Sequence, residues 1–281
     1  MSNVFRLGGD LEVNRLGFGA MRLPSQQGMF GPARDPENGR AVLRRAVALG
    51  ANHVDTADFY VSAGGAVRAN DLIREALDPY PSDLVIATKI GPQFHTGGLT
   101  EAAAADMRGL VEADLAGLGV DRLDLVYLRV GTMEPVPGSI AERFEALAAL
   151  REEGLIRHLG VSNVTAAQLA EARAIAPVAA VQNQYHAAKR DDAAVLAACE
   201  AAGIAFVPFF PLGGGHELDD PRLAKVAARH DATPGQIGLA WLLASSPVTL
   251  AIPGTGELAH LEANMAAAAI VLTDEDLEDL S

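Results

Sequence analysis

The 281-residue sequence predicts an α/β fold, a closed (β/α)8 barrel of the TIM type with an N-terminal β-hairpin. Three observations carry the prediction. Short apolar runs alternate with longer helical patterns about eight times. Several helical patterns end on a glycine just before the next run, at Gly50, Gly119, Gly154 and Gly203. Polar residues gather at the C-terminal ends of the runs, where a barrel of this kind does its chemistry: Asp55, Lys89, Arg129, Ser162, Asn163, Gln182 and Thr255.

In chain order, VFRLGG and LEVNRL read as a hairpin turning at Gly8, Gly9 and Asp10. The strand candidates follow: LGFGAM, NHVDTA, LVIATK, LDLVYLRV, HLGVSN, AAVQNQ, IAFVPFF and VTLAIPG. Each is short and apolar, as expected of parallel strands covered on both faces. Between them NGRAVLRRAVALG, TEAAAADMRGLVEADLAGLG, IAERFEALAALREEG and AAQLAEARAIA read as helices, with apolar residues recurring at three and four. Parallel strands joined by right-handed helical crossovers form either an open doubly wound sheet or a barrel. Eight units favour closure, and the Gly-x-Gly-x-x-Gly turn of the open dinucleotide fold does not follow the first strand. The tail TDEDLEDLS reads as a solvated helical end that Leu272, Leu277 and Leu280 pin to the body.

Residues 1–281 show no linker and are expected to form a single domain. The hydrophobic fraction of 49% and mean hydropathy of +0.16 fit a well-packed globule. No apolar run is long enough for a membrane span, and MSNVFRLGGD is too polar for a secretory signal. One cysteine, Cys199, forms no internal disulfide and reads as a small buried apolar residue, so a cytoplasmic location is expected. The net charge of −14 repels nucleic acid and acidic membranes, which excludes both as partners. A monomer acting on a small molecule is expected. With one cysteine, scattered histidines and no His-Glu-x-x-His, no metal site is expected.

The segments VDTADFY and LVIATKI hold a phenol, an ammonium and a carboxylate together. Singly, Asp55 reads as a turn cap, Tyr60 as rim packing and Lys89 as a side chain reaching into solvent. Together they imply more, because a lysine ending a buried apolar strand needs a partner or a lowered pKa. An isolated phenol titrates near ~10, and a neighbouring ammonium favours its anion. That trio can protonate a carbonyl oxygen.

On these motifs the chain resembles the aldo-keto reductases, from the first glycine-rich turn almost to the C-terminus. The resemblance implies NADPH-dependent reduction of an aldehyde or ketone to the alcohol by hydride transfer, with NADP(H) as cofactor and NAD(H) as the alternative. It makes Tyr60 the proton donor, Lys89 the cation lowering its pKa, and Asp55 the partner orienting Lys89. Arg129 departs from the pattern, standing where the family usually presents a histidine. Arginine relays no proton at any working pH but offers a fork of donors and a permanent charge. Two readings stand: Arg129 binds the carbonyl oxygen or a substrate carboxylate, or it pairs with Asp55 or Glu134. The run DLVYLR and the downstream GSIAERFEALAALREEGLIRHLGVSN resemble a bacterial subgroup carrying this arginine throughout. Neither His53 nor His95 is placed to replace the imidazole.

For the cofactor the resemblance implies Gly19, Ala20 and Met21 at the first strand end, together with Asp55. Ser162, Asn163 and Gln182 follow, since Asn and Gln side chains match a carboxamide on both its donor and acceptor sides. The family's stacking tyrosine falls on Phe209, which otherwise reads as core filler. Pro211, Leu212, Gly213 and Gly214 belong to a turn reaching Gly215 whose backbone amides are expected to meet the pyrophosphate. Thr255, His260 and Asn264 occupy the adenosine-phosphate contacts. The usual cations are missing, with Gly254 where many members have lysine and His260 where many have arginine. The substrate is expected against Tyr60, Phe30, Phe59, Phe94 and Arg129, with Met133 in the same loops. A cofactor-binding barrel with a regulatory or redox-sensing role is the alternative function; it accounts for Asn163, Gln182 and Phe209 but not for Tyr60 with Lys89. A barrel isomerase or lyase is disfavoured, because its phosphate turn is the one already given to the dinucleotide.

Overall fold

Parallel strands in exact sequence order organise the chain around one closed sheet. A computed structural model describes residues 3–95, 98–131, 133, 135–215 and 218–281. The N-terminal hairpin pairs β1 (Val4–Leu7) with β2 (Leu11–Asn14), turning through Gly8 and Gly9 at φ 63° and 90°. The barrel strands are β3 (Phe18–Gly19), β4 (His53–Asp55), β5 (Val85–Ile90), β8 (Leu123–Arg129), β9 (Ile156–Ser162), β10 (Val178–Gln182) and β11 (Ala205–Phe206). They lie in the order β3-β4-β5-β8-β9-β10-β11. Residues 248–253 take the eighth position, because Phe206 bridges Thr249 on one side and Leu16 bridges Ala251 on the other, both in parallel. The closure is secured by Leu250 N to Phe206 O (2.8 Å) and Gly17 N to Ala251 O (2.9 Å).

The helices are α1 (Pro36–Ala48), α2 (Ala69–Leu77), α3 (Met107–Leu118), α4 (Ala141–Glu152), α5 (Ala166–Ile175), α6 (Ala193–Ala202), α7 (Pro221–Arg229), α8 (Pro234–Ser245), α9 (Leu258–Ala266) and α10 (Asp274–Asp279). Their apolar faces pack on the outside of the sheet, with Phe144, Leu147 and Val161 among the residues of that shell. A second apolar cluster fills the barrel itself. Val85, Leu125, Tyr127, Ala180 and Leu250 form it, and Leu7, Leu11 and Val13 of the hairpin close it from below. Gly160 is required there, since a Cβ at that position would stand 2.6 Å from the Tyr127 ring.

The glycine stops behave as expected. Gly50, Gly119, Gly154 and Gly203 all have positive φ, and Gly119 and Gly203 are left-handed caps of α3 and α6. Cys199 is fully buried on α6, and burial pushes its thiol up to about 12. In the tail, Thr273 caps α10, Leu280 is buried, and Leu272 and Leu277 pack against the core.

Several expected boundaries are corrected. The helix expected from Thr100 begins only at Met107, because β6 (Pro92–His95) and β7 (Gly98–Glu101) form an antiparallel hairpin over the loop after β5. Asp106 Oδ2 then accepts from Ala103 N at 3.1 Å to start a short 3-10 turn. The first strand ends at Gly19, and Ala20–Arg22 curl into another such turn. IAFVPFF contributes only Ala205–Phe206 as regular strand, since Pro208 has no amide hydrogen to extend the ladder.

Candidate active site

In-register strand ends build the site. Gly19 pairs with Asp55, Arg129 with Ser162, and Ser162 with Gln182, so these residues share one level at the C-terminal end of the barrel. Lys89 stands on β5 two residues beyond Ala87, the partner of Asp55, and reaches back across that step. Tyr60 follows β4 in a turn held by its own N–H to Ala57 O at 3.0 Å.

The Lys89 Nζ donates to Asp55 Oδ1 at 2.5 Å and to Thr56 O at 3.0 Å, and lies 4.9 Å from the centroid of the Tyr60 ring. Gln182 Nε2 donates to Asp55 Oδ2 at 2.7 Å, so both carboxylate oxygens are bonded. Asp55 is 4% exposed, Lys89 3% and Tyr60 7%, which removes most of the water that would screen these charges. A buried pair of this kind needs its remaining polar valences filled, and Thr56 O and Gln182 fill them. Beneath it lies a further buried network: Thr56 Oγ1 donates to Asn70 Oδ1 (2.8 Å), while Asn70 Nδ2 (2.6 Å) and Thr88 Oγ1 (2.9 Å) donate to Asp114.

Burial works against the charged Lys89, but Asp55 and Tyr60 outweigh it and hold its pKa above the ordinary lysine value. For Tyr60 the expected lowering by Lys89 is present but outweighed. Burial raises the phenol, Asp55 raises it further, and the pull of Lys89 and Arg129 in the other direction is smaller. The site therefore keeps a protonated phenol through the neutral range, with two cations beside it that favour the phenolate once the proton leaves.

Arg129 is nearly buried, and burial draws its pKa down to about 10. Its Nη1 donates to Ser162 Oγ at 3.2 Å, and its guanidinium carbon lies 4.6 Å from the centroid of Phe209. Asp55, one of its two expected partners, is bonded to Lys89 and Gln182. Glu134, the other, lies outside the described residues. Phe209 thus keeps its ring at the site but carries Arg129 against it.

A cavity of about 800 Å³ runs from this cluster to the first turns of α9. Among the expected residues it is lined by Gly19, Met21, Asp55, Phe59, Tyr60, Lys89, Arg129, Gln182, Phe209, Pro211, Leu212, Gly214, Thr255, His260 and Asn264. Ala20, Ser162, Asn163 and Gly213 do not line it. Asn163 spends a side-chain donor on Val130 O at 2.8 Å, and Ser162 Oγ accepts from Arg129. Phe30, at φ 63°, lines a neighbouring cavity with Phe59, Lys89 and Pro92. The side chain of Phe94 lies outside the described residues. In the Leu212–Gly215 turn the amides of Gly213 and Gly215 donate to Phe210 O and Leu212 O, so these two are not free for a pyrophosphate.

Sequence reasoning missed Arg22, Gln26, Met29, Arg34 and Glu257, which also line the cavity. Two arginines in the segment after the first strand of an acidic chain were the available signal. Gly254 has a packing reason: a Cβ there would stand 2.5 Å from Gly19 O.

The residues present fit a nicotinamide dinucleotide. Gln182 Oε1 is a buried acceptor with no protein partner, suited to a carboxamide N–H. Gly19 and Gly254 bring bare backbone to the cavity wall. Among the described residues no group of His, Cys, Asp or Glu is arranged to hold a metal ion, and no helix is long and apolar enough to cross a membrane.

Residues 15–281 match the aldo/keto reductase family. The chain is 48% identical over 284 residues to pyridoxine 4-dehydrogenase of Escherichia coli, covering 99% of this chain and 97% of that one. It is 41% identical to an uncharacterized oxidoreductase of Schizosaccharomyces pombe, covering 95% and 85%. Among solved structures, an aldo/keto reductase from Klebsiella pneumoniae in complex with NADP and acetate superposes with a TM-score of 0.83 at 27% identity, over 100% of this chain and 94% of that one.

Proposed function

Because the chain belongs to the aldo/keto reductase family and is an NAD(P)H-dependent oxidoreductase using NADP(H), we propose that Tyr60 is the proton donor in its carbonyl reduction. The observation that supports this reading is the buried Asp55, Lys89 and Tyr60 cluster at the cavity end. When bound, the nicotinamide supplies hydride to the carbonyl carbon. Tyr60 gives its O–H proton to the carbonyl oxygen as charge develops there. The phenolate left behind is held by the ammonium of Lys89 and the guanidinium of Arg129, and Asp55 keeps Lys89 in place. Arg129 also polarises the carbonyl from the Phe209 side. Gln182 couples the cofactor to the acid cluster: its Nε2 bonds Asp55, and its buried, unpartnered Oε1 is the acceptor that a carboxamide N–H would fill.

For the substrate we extend the activity in the name of the Escherichia coli relative: the aldehyde of pyridoxal is reduced to the alcohol of pyridoxine, and the reverse. Phe59, Phe209, Phe210, Met29 and Met133 give the cavity apolar and aromatic walls for a flat ring. We take it to work as a monomer in the cytoplasm; for the compartment, the buried free thiol of Cys199 is in keeping with reducing conditions.

The test is cofactor consumption with pyridoxal, aromatic and aliphatic aldehydes, keto acids and quinones, using NADPH and NADH. Turnover of pyridoxal that Tyr60→Phe removes is the expected result. Consumption that survives in the variant would transfer the acid role elsewhere, and none with any carbonyl would defeat the reading.

A further inference from the structure

The two positions at which this chain lacks the expected phosphate-binding cations, Gly254 and His260, leave the adenosine end of the cavity without an obvious grip for a phosphate monoester. The structure offers another. Arg34 enters the cavity from the segment before α1, and its Nη1 donates to Glu257 Oε1 at 2.7 Å. The two partners differ in a way that matters. The Arg34 side chain is 18% exposed and that of Glu257 is 57% exposed. The guanidinium packs against Gly256, where a Cβ would meet its Nε at 2.4 Å and its Cζ at 2.5 Å.

The segment is tied down on both sides. Arg34 N donates to Pro24 O at 2.9 Å, and Asn38 Nδ2 donates to Gly256 O at 2.6 Å, which fastens the start of α1 to the turn leading into α9. The cation is therefore anchored, while the anion can swing into water at little cost. An exposed pair of this kind is worth at most about 1 kcal/mol. Arg34 Nε is buried against Gly256 with no hydrogen-bond partner, so a ligand would meet the guanidinium through its terminal nitrogens, one of which Glu257 occupies. A phosphate monoester offers a higher charge and more acceptor oxygens than one carboxylate.

We propose that Arg34 selects the phosphorylated cofactor, exchanging Glu257 for the phosphate on the adenosine ribose, and that Glu257 lowers this preference by competing for Arg34. The inference rests on the dinucleotide reading above and concerns residues that the family pattern at positions 254 and 260 does not supply. With the unphosphorylated cofactor the Arg34–Glu257 pair stays closed. Selectivity is then the difference between two occupants of one guanidinium.

The experiment measures dissociation constants of NADPH and NADH, and of the fragments 2′,5′-ADP and 5′-AMP, by fluorescence quenching or calorimetry. The proteins are the parent, Arg34→Gln, Glu257→Gln and Arg22→Gln. Arg34→Gln should weaken NADPH and 2′,5′-ADP about 10- to 100-fold, the worth of charge-assisted hydrogen bonds, and change NADH less than about two-fold. Glu257→Gln should tighten NADPH by up to about 5-fold and leave NADH unchanged or weaker. Equal effects of Arg34→Gln on both cofactors would overturn the inference. So would loss of the preference in Arg22→Gln alone, or an Arg34→Gln protein that discriminates like the parent. Failure of the parent to bind either dinucleotide would instead defeat the functional reading itself.

Discussion

Replacing Lys89 by methionine should cost the fold about 3–5 kcal/mol, and a second substitution should restore much of it. The change removes the ammonium from a pair whose side chains are 3% and 5% exposed, and leaves the Asp55 carboxylate held by Gln182 Nε2. About 1 kcal/mol of the loss belongs to Thr56 O, which gives up its 3.0 Å bond to Lys89. The remainder is the uncompensated buried charge. Asp55→Asn on the Lys89→Met background removes that charge and keeps an oxygen for Gln182 Nε2. The double variant should therefore be more stable than Lys89→Met by about 1–3 kcal/mol, and its loss should fall well short of the sum of the singles. Urea unfolding followed by circular dichroism on the parent, both singles and the double measures this. All three variants should lose at least about 10²-fold in kcat, because the cation beside the phenol is lost or misplaced. Additive stabilities would refute the reasoning. They would mean that Asp55 and Lys89 act independently despite a separation of 2.5 Å.

Other outcomes follow from the same geometry. Tyr60→Phe should lower kcat about 10²- to 10⁴-fold with cofactor affinity unchanged, since the ring keeps its edge contact with Phe59 at 5.2 Å; isothermal titration of the cofactor and steady-state rates check both halves. Arg129→His should reduce kcat/KM for a keto acid about 10- to 100-fold more than for a neutral aldehyde of equal size, because a bidentate charged contact is removed; a uniform loss accompanied by a lower melting point would make Arg129 structural instead. Burial pushes Asp114 up to about 7, above the value of about 3.9 expected unfolded. Its favourable contribution is therefore present below about pH 4 and is lost as pH rises through about 7, so urea unfolding should show a decline of about 2–4 kcal/mol across that range from this group, which Asp114→Asn flattens.

The sequence by itself determined the barrel and brought together the heart of the candidate site, for a local reason. Alternating apolar runs and glycine stops specify parallel strands, and strand ends all point to one mouth, so Asp55, Lys89, Arg129 and Gln182 could be placed together from position alone. Tyr60 followed because it stands five residues past a strand end. Tertiary structure decided what those groups do to one another. Gln182 meets Asp55 across 127 residues of chain and Arg34 meets Glu257 across 223, and no spacing rule encodes such encounters. The same holds for Arg129 against Phe209, which redirected a ring expected to face only the cofactor. The direction of the Tyr60 shift was beyond the sequence too: it depends on how much water burial removes against how near Lys89 comes, and both are properties of packing. The backbone amides of the Leu212–Gly215 turn likewise found partners within the turn, because only the folded path fixes which carbonyl each one faces.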